Sequence, residues 1–370
     1  MNQGEIQALK WRAFNALFGA QWVGLIIICS WLSHSLLLGQ TRPASTHWIL
    51  PPDRLQPVLQ QSIDFLKEQV PAWPRENNCY ACHHQGDGAR ALFQARRHGL
   101  EVPALSLDTT ISWLTRPDEW GNQGGDPNAA DPLLADIQFG ATLIAMEGSQ
   151  SGNLSDLTQA RQRVIERLIE AQSQDGSWSL DSTPSIGTPG VPGQAWATLM
   201  AWQVIKTSQD ERAQIARSNA EKWLRGLGVD HVPNAACKLI FIESGQIAAK
   251  GDAILCLEFL LAAQSRFGGW GPYKGSPVEV FDTSLALIAL SFYARDERVA
   301  MVIKRGGSFL LAEQLKDGSW VETTRPAGGQ SHAQWIATTS WAAQALMAID
   351  RAQQPDVHGV EANFDASSTP

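Results

Sequence analysis

Three seven-residue segments decide how this chain folds: QSQDGSW at 172–178, QSRFGGW at 264–270 and QLKDGSW at 314–320. Each reads Gln-x-x-x-Gly-x-Trp. Each follows an apolar, helix-like run (VIERLIEA, AILCLEFLLAA and GGSFLLAE). Each precedes a second run, after a turn rich in Gly, Pro and Ser (AWATLMAWQVI, DTSLALIALSFYA and AQWIATTSWAAQALMAI). Self-similarity at a regular spacing marks a repeat architecture. The second runs carry small and bulky apolar residues nearly all the way round, the pattern of a helix buried on most sides.

The spacing extends the pattern. Gln264 and Gln314 lie 50 residues apart, and Gln172 and Gln264 lie 92 apart, which leaves room for one degenerate turn. LRGLGVDHVPN at 224–234 fits it. Going backwards, Cys79 lies 93 residues before Gln172, with a further loop, RPDEWGNQGGDPNAADP, at 116–132. Six turns imply twelve helices, expected over 55–69, 88–99, 105–115, 132–147, 155–172, 194–208, 211–225, 233–246, 250–264, 281–294, 297–314 and 333–350. No segment shows strand alternation with hairpin turns. The expected fold class is all-α. Twelve helices in alternating outer and inner pairs close into an (α/α)6 toroid, whereas an open array would need polar caps at both ends.

These turns resemble the QW motifs of squalene–hopene and oxidosqualene cyclases, and the toroid is similar to the β subunits of protein prenyltransferases. The likeness covers roughly 55–350 and is densest from 165 onward. It implies that Gln172, Trp178, Gln264, Trp270, Gln314 and Trp320 are braces, the amide tying helix ends and the indole stacking over it. It also implies a place for the acid of such cyclases, an Asp within a D-x-D-D-T-type motif. Here the matching stretch is Glu279-Val280-Phe281-Asp282-Thr283. Phe281 stands where the central Asp belongs, Asp282 survives, and Glu279 replaces the first Asp. Glu279 and Asp282 are thus the candidate catalytic residues, and whether the protein is an enzyme stays open. Asp282 reads equally as an N-cap of the tenth helix. The prenyltransferase zinc pattern is missing, so Cys237 and Cys256 read as buried small hydrophobes. Met146, Met200, Met301 and Met347 read as core.

The first turn departs from the others. It reads ENNCYACHHQGDG over 76–88, and Cys79-Tyr80-Ala81-Cys82-His83 is C-x-x-C-H, the attachment signature of c-type haem. Two thiols one helical turn apart meet the two haem vinyl groups, and the next imidazole rises to the iron as proximal ligand. A zinc site using Cys79, Cys82 and His83 or His84 is the alternative, and a short disulfide or free thiols a third. His84 directly follows the proximal ligand and cannot readily take the other axial face. Closing the ring brings the sixth turn, RPAGGQSHAQW, beside the first, which points to His332 as the sixth ligand. His231 lies at the same end but across the mouth, and His98 at the far end of its helix. A redox centre would then sit near the toroid mouth, at the end where Asp282 begins its helix.

The N-terminus carries a different signal. Residues 13–39 contain no Asp, Glu, Lys or Arg, and the run exceeds the roughly 20 residues that cross a bilayer. Lys10 and Arg12 precede it, so residues 1–12 are expected in the cytoplasm and the rest outside the inner membrane. A cleaved signal peptide is the alternative. A Pro-rich linker follows at 40–54, then the toroid at 55–350 and a tail at 351–370. The 370 residues carry 29 Lys+Arg against 37 Asp+Glu, a net charge of −8, so no nucleic-acid partner is expected. The combined expectation is a membrane-anchored, periplasmic toroid with one covalent haem c. It would transfer electrons to a redox partner, or act on a hydrophobic, isoprenoid-like ligand. A haem-free terpenoid cyclase and a non-catalytic binding scaffold are the alternatives.

Overall fold

The structure is a computed structural model that describes residues 49–124, 131–149, 151–180 and 186–354. The expected membrane segment at 13–39, the residues before it and most of the tail lie outside the described residues. Among the described residues no helix is long and apolar enough to cross a membrane.

The described residues form twelve α-helices: α1 Pro52–Asn77, α2 Ala89–Arg97, α3 Asp108–Leu114, α4 Pro132–Gly148, α5 Leu154–Glu170, α6 Gln194–Ile205, α7 Glu211–Arg225, α8 Val232–Ser244, α9 Lys250–Ala263, α10 Val280–Leu290, α11 Glu297–Glu313 and α12 His332–Gln353. A π-helical turn, Cys82–Gly88, leads directly into α2. No strand occurs among the described residues; one isolated antiparallel bridge joins Trp270 and Glu279. Short polar side chains start several helices by accepting from free backbone N–H groups. Asp131 does so for α4, Asp210 for α7, Asp296 for α11 and Ser331 for α12.

The even-numbered helices pack side by side in the order α2, α4, α6, α8, α10, α12, and α12 returns to α2. The odd-numbered helices lie outside them, and α11 meets α1 to close the outer layer. This is the two-layered ring expected from the repeat. Inner helices are buried nearly all round: every residue of α12 from Ile336 to Asp350 is buried.

The braces work as local devices with one long reach each. The indole Nε1 of Trp178 donates to Leu168 O, that of Trp270 to Leu260 O and that of Trp320 to Leu310 O, each at 2.8 Å. Each indole thereby satisfies a carbonyl near the end of the preceding outer helix. Each Gln amide donates twice, once into its own turn and once to the neighbouring outer helix. Gln172 reaches Ala216 O at 2.8 Å, Gln264 reaches Val302 O at 2.8 Å, and Gln314 reaches Val58 O at 2.9 Å. The last of these joins the sixth repeat to the first. The motif glycines have φ near +90°, and a Cβ on Gly176, Gly268 or Gly318 would stand 2.2–2.6 Å from a backbone oxygen of the next helix. Only glycine fits there.

The second turn holds half a brace. Trp120 is fully buried and donates to Trp113 O at 3.2 Å. Two expectations need correction. Helix α1 runs eight residues past 69, through Pro71 and Pro74, to end at a left-handed Asn78. Met301 is not core: it is 64% exposed on outer helix α11, while Met146, Met200 and Met347 are buried.

Candidate functional site

The first turn gathers a cluster of aromatic and imidazole rings. Its base is fixed by Gln85, whose side chain accepts from Ala81 N at 2.9 Å and donates to Val70 O of α1 at 2.8 Å. Thr142 of α4 donates to Gly86 O at 2.8 Å. Gly88 lets the turn press on α1, since a Cβ there would lie 2.7 Å from Val70 Cγ2. A π turn widens the backbone locally, and such turns concentrate at functional positions.

On this base His83, His84, Trp73 from the end of α1, and His332 from the start of α12 pack together. Trp73 stacks on His84 at 4.5 Å between centroids and meets His83 edge-on at 5.0 Å. His332 Nε2 lies 3.4 Å from His84 Nε2, and the His83 and His332 rings are 6.3 Å apart. Ring closure therefore brings His332 to the first turn, as the repeat arithmetic anticipates. Burial, and then His332, push His83 down to about 3; burial, His83 and His332 push His84 down to about 2. Both imidazoles are neutral at physiological pH, the form that binds metals. His83 Nε2, His84 Nδ1 and Trp73 Nε1 are buried without a hydrogen-bond partner. Buried polar atoms are ordinarily paired, so a cluster of orphans needs a reason.

Cys79 is half-buried and Cys82 buried, and both are free thiols rather than a disulfide. Gln123 Nε2 approaches Cys82 Sγ at 3.8 Å. Burial, with Asp87 and Asp131 nearby, raises the Cys82 thiol well above its ordinary range. Two unpaired thiols three positions apart, followed by a neutral imidazole with a free Nε2, match in kind what haem c attachment uses. Among the described residues no three His, Cys, Asp or Glu side chains gather around a common metal-ion position, so a ready-made zinc set is not present. A cleft of about 260 Å³ opens beside His84 and His332, bordered by Trp73, Gln69 and Glu76.

Asp282 and Glu279 form a second centre at the same end, where the inner helices begin. Asp282 is fully buried and accepts from Arg325 at 2.6 Å; Glu279 accepts from the same guanidinium nitrogen at 3.0 Å. Asp282 is not the N-cap of α10: Glu279 occupies that position, without a side-chain cap, and Asp282 lies in the first turn. Burial pushes Asp282 well above the usual carboxylate range, with Glu279 acting in the same direction and Arg325 against it. Arg325 also donates to the carbonyls of Ile186 and Gly187, in the loop before α6.

That loop seals this end. Residues 187–190 are buried. Gly190 N donates to Gln334 of α12 at 2.9 Å, and Trp341 Nε1 donates to Pro189 O at 3.1 Å. Helices α6 and α12 are opposite members of the inner ring. Even so, Trp196 and Trp341 meet at 5.3 Å, and Phe281 joins Trp341 at 5.8 Å. These rings fill the axis of the toroid. Beyond them a cavity of about 390 Å³ follows the later halves of the inner helices, and Asp282 is not among the residues that line it.

Other sequence candidates have structural roles. His98 pairs with Asp350 at 2.7 Å, and His231 caps α8 by accepting from Asn234 N at 3.3 Å. Cys237 and Cys256 are buried, and Cys237 donates to Ala195 O. Sequence reasoning missed Trp73 and Arg325. The one available signal for Trp73 was the excess of Trp itself, 15 in the chain.

No protein-family model matches the chain, and no curated protein matches it in sequence. Solved structures do. The type II terpene cyclase MstE from Scytonema, without ligand, is similar over 82% of this chain and 99% of its own, with 15% identity and a TM-score of 0.55. A variant of that cyclase in complex with geranylgeranyl dihydroxybenzoate is similar over 81% of this chain and 98% of its own, with 15% identity and a TM-score of 0.55. A possible member of the GH105 family from Klebsiella pneumoniae is similar over 86% of this chain and 97% of its own, with 11% identity and a TM-score of 0.51. At such identities the likeness is one of fold: this chain is a cyclase-like α-toroid.

Proposed function

We propose that this protein is a membrane-anchored, extracytoplasmic α-toroid whose first turn carries a covalent c-type haem, and that it works in electron transfer. One observation carries the reading. The C-x-x-C-H turn ends in a half-buried, neutral imidazole, His83, whose Nε2 is buried and has no partner in the protein. In this reading Cys79 and Cys82 form the thioether links, and His83 is the proximal ligand. His332, brought by the last repeat, would be the further residue to hold the iron. Its ring lies 6.3 Å from that of His83. Bound haem c supplies one-electron transfer at a potential set by its axial ligands and burial. Trp73 covers both imidazoles of the turn. The segment 13–39 serves as the anchor, and a redox protein as the partner. The central cavity serves a hydrophobic ligand, as the cyclase-like fold suggests.

The test is expression of the full chain together with a cytochrome c maturation system. The expected result is a Soret band and a haem-staining polypeptide that survives denaturing electrophoresis, with both lost in Cys82→Ser. Stoichiometric zinc without a Soret band would replace this reading with a metal-braced one.

A second reading is favoured by one observation at Asp282. Its Oδ1 has no partner and its pKa is raised, as a proton donor to an alkene requires. Against it stand the guanidinium on Oδ2 and the ring layer between Asp282 and the cavity. A cyclised terpenoid product lost in Asp282→Asn would decide for this reading.

A further inference from the structure

The central cavity has a polarity that neither reading uses. Part of its wall is apolar, formed by Trp196, Leu199, Met200 and Ile240, and part is neutral and polar, with Gln94, Gln203 and Gln344. Four cations also line it: Arg90, Arg97, Lys206 and Arg351. No Asp or Glu does.

The deep cation, Arg90, is neutralised within the protein. It pairs with buried Asp87, donates to Gln138 Oε1 at 3.2 Å and lies 5.1 Å above the Trp341 ring. The other three stand at the mouth. Arg97 ends α2, Lys206 follows the last residue of α6, and Arg351 lies in the last turn of α12. Among the described residues none of them pairs with a carboxylate. Lys206 has only the Trp202 ring at 4.5 Å and the Ser244 carbonyl at 3.5 Å. Burial lowers the pKa of Lys206; burial and then Arg97 lower that of Arg351. The acids at this end are engaged elsewhere. Asp350 is held by His98, Gln56 and Gln353, Glu147 by Arg161, and Glu221 by Arg217 and the Trp202 indole.

Cations at helix C-termini offset the macrodipole, which partly explains their placement. It does not explain their distribution. The last turns of α4, α8 and α10 carry no basic residue. The three inner helices that do carry a cation at their end all direct it to one cavity.

We infer that this cavity takes a single-tailed amphiphile with an anionic head, its chain against the apolar wall and its carboxylate or phosphate at the mouth between Arg97, Lys206 and Arg351. A volume of about 390 Å³ lies in the usual range for small-ligand sites. The inference shares the ligand-cavity part of the function proposed above and is independent of haem.

The test uses the full chain and probes of one chain length: dodecanoate, dodecyl phosphate, dodecanol and dodecyltrimethylammonium. Binding is read by calorimetry and by quenching of tryptophan fluorescence. An anionic probe is expected to bind at least about tenfold more tightly than the alcohol, the order expected for a charge-assisted contact. Comparing carboxylate with phosphate identifies the head group. Arg97→Gln combined with Arg351→Gln, both on the rim and checked for an unchanged melting temperature, should erase that preference and leave alcohol binding intact. Leu199→Trp, which fills the cavity, should abolish binding of both. Equal affinity for anion, alcohol and cation would overturn the inference and leave the hydrophobic-ligand reading standing. No binding of any probe would overturn both.

Discussion

The third, fifth and sixth turns and the first turn join an outer helix to an inner one in the same way, yet they differ in the ring nitrogens they bury, although one brace atom, Gln264 Oε1, is also left without a partner. In the braced turns each indole N–H and each glutamine N–H finds a carbonyl, and the backbone N–H of each motif Trp finds a threonine hydroxyl of the next inner helix: Thr198, Thr283 or Thr339. The first turn is less deeply buried, yet its two imidazoles and the Trp73 indole that α1 packs on them leave three ring nitrogens buried without a partner. A net hydrogen bond contributes about 1 kcal/mol, whereas an unsatisfied buried group costs about 1–3 kcal/mol. The unpaired ring nitrogens at the first turn therefore cost stability that the bonded indoles of the other three supply.

The comparison breaks most readily at the tryptophans. Trp320→Ala removes a fully buried indole and its bond to Leu310, and should cost about 3–5 kcal/mol. Trp73→Ala removes a partly exposed indole with no hydrogen-bond partner and should cost well under half as much. Denaturant unfolding measures both. Equal costs would mean that the first turn is a brace after all.

The glycines sharpen the same point. Gly318→Ala puts a Cβ 2.2 Å from the Gln61 carbonyl at φ near +90°, and should cost about 3 kcal/mol. Gly328 also has positive φ but no atom within 4 Å of its Cβ position, so Gly328→Ala should cost only the backbone penalty, about 1 kcal/mol. The difference in melting temperature between the two variants isolates the close approach from the conformation.

Gln314→Ala deletes the bonds to Val58 O and Gly318 O and should cost about 2 kcal/mol. Because Val58 belongs to the first repeat, the loss should also speed hydrogen exchange in α1. Gln172→Ala, whose long bond stays between adjacent repeats, should leave α1 protected.

These contrasts also explain what was legible. The braces could be read because Gln, Gly and Trp fall within seven residues and act on carbonyls nearby. The six turns and all twelve helices followed from their spacing, and closure alone placed His332 beside the first turn. Contacts that cross the ring left no such trace. Arg325 meets Ile186 over 139 positions, and Gln334 meets Gly190 over 144. The Trp196–Trp341 contact joins opposite helices, so periodicity made both residues inner without showing that they block the axis. The extension of α1 through Pro71 and Pro74 ran against local propensity, and with it Trp73 was missed.

The smallest effect separates the two kinds of turn by pH. Asp87 ends the first turn, fully buried, and burial raises its carboxyl from 3.8 to about 6, against the pull of Arg90 and Gln138. Between these values the folded chain holds a proton on Asp87 that the unfolded chain has released. Stability from this group is therefore greatest below pH 4 and falls as pH rises towards 6, by at most about 1.4 kcal/mol per pH unit. Carboxylates such as Asp350, whose pKa is lowered in the folded state, contribute the opposite slope and mask it in the native protein. The informative quantity is thus the difference between native protein and Asp87→Asn, measured by urea unfolding from pH 4 to pH 7. Whatever the variant's absolute stability, its curve should lose a component that declines over that interval. The acid of the third turn, Asp175, is exposed and held by Ser177, which lowers its pKa, so Asp175→Asn should remove no component that declines between pH 4 and pH 7. If Asp87→Asn removes none either, the first turn is no more strained electrostatically than its counterpart.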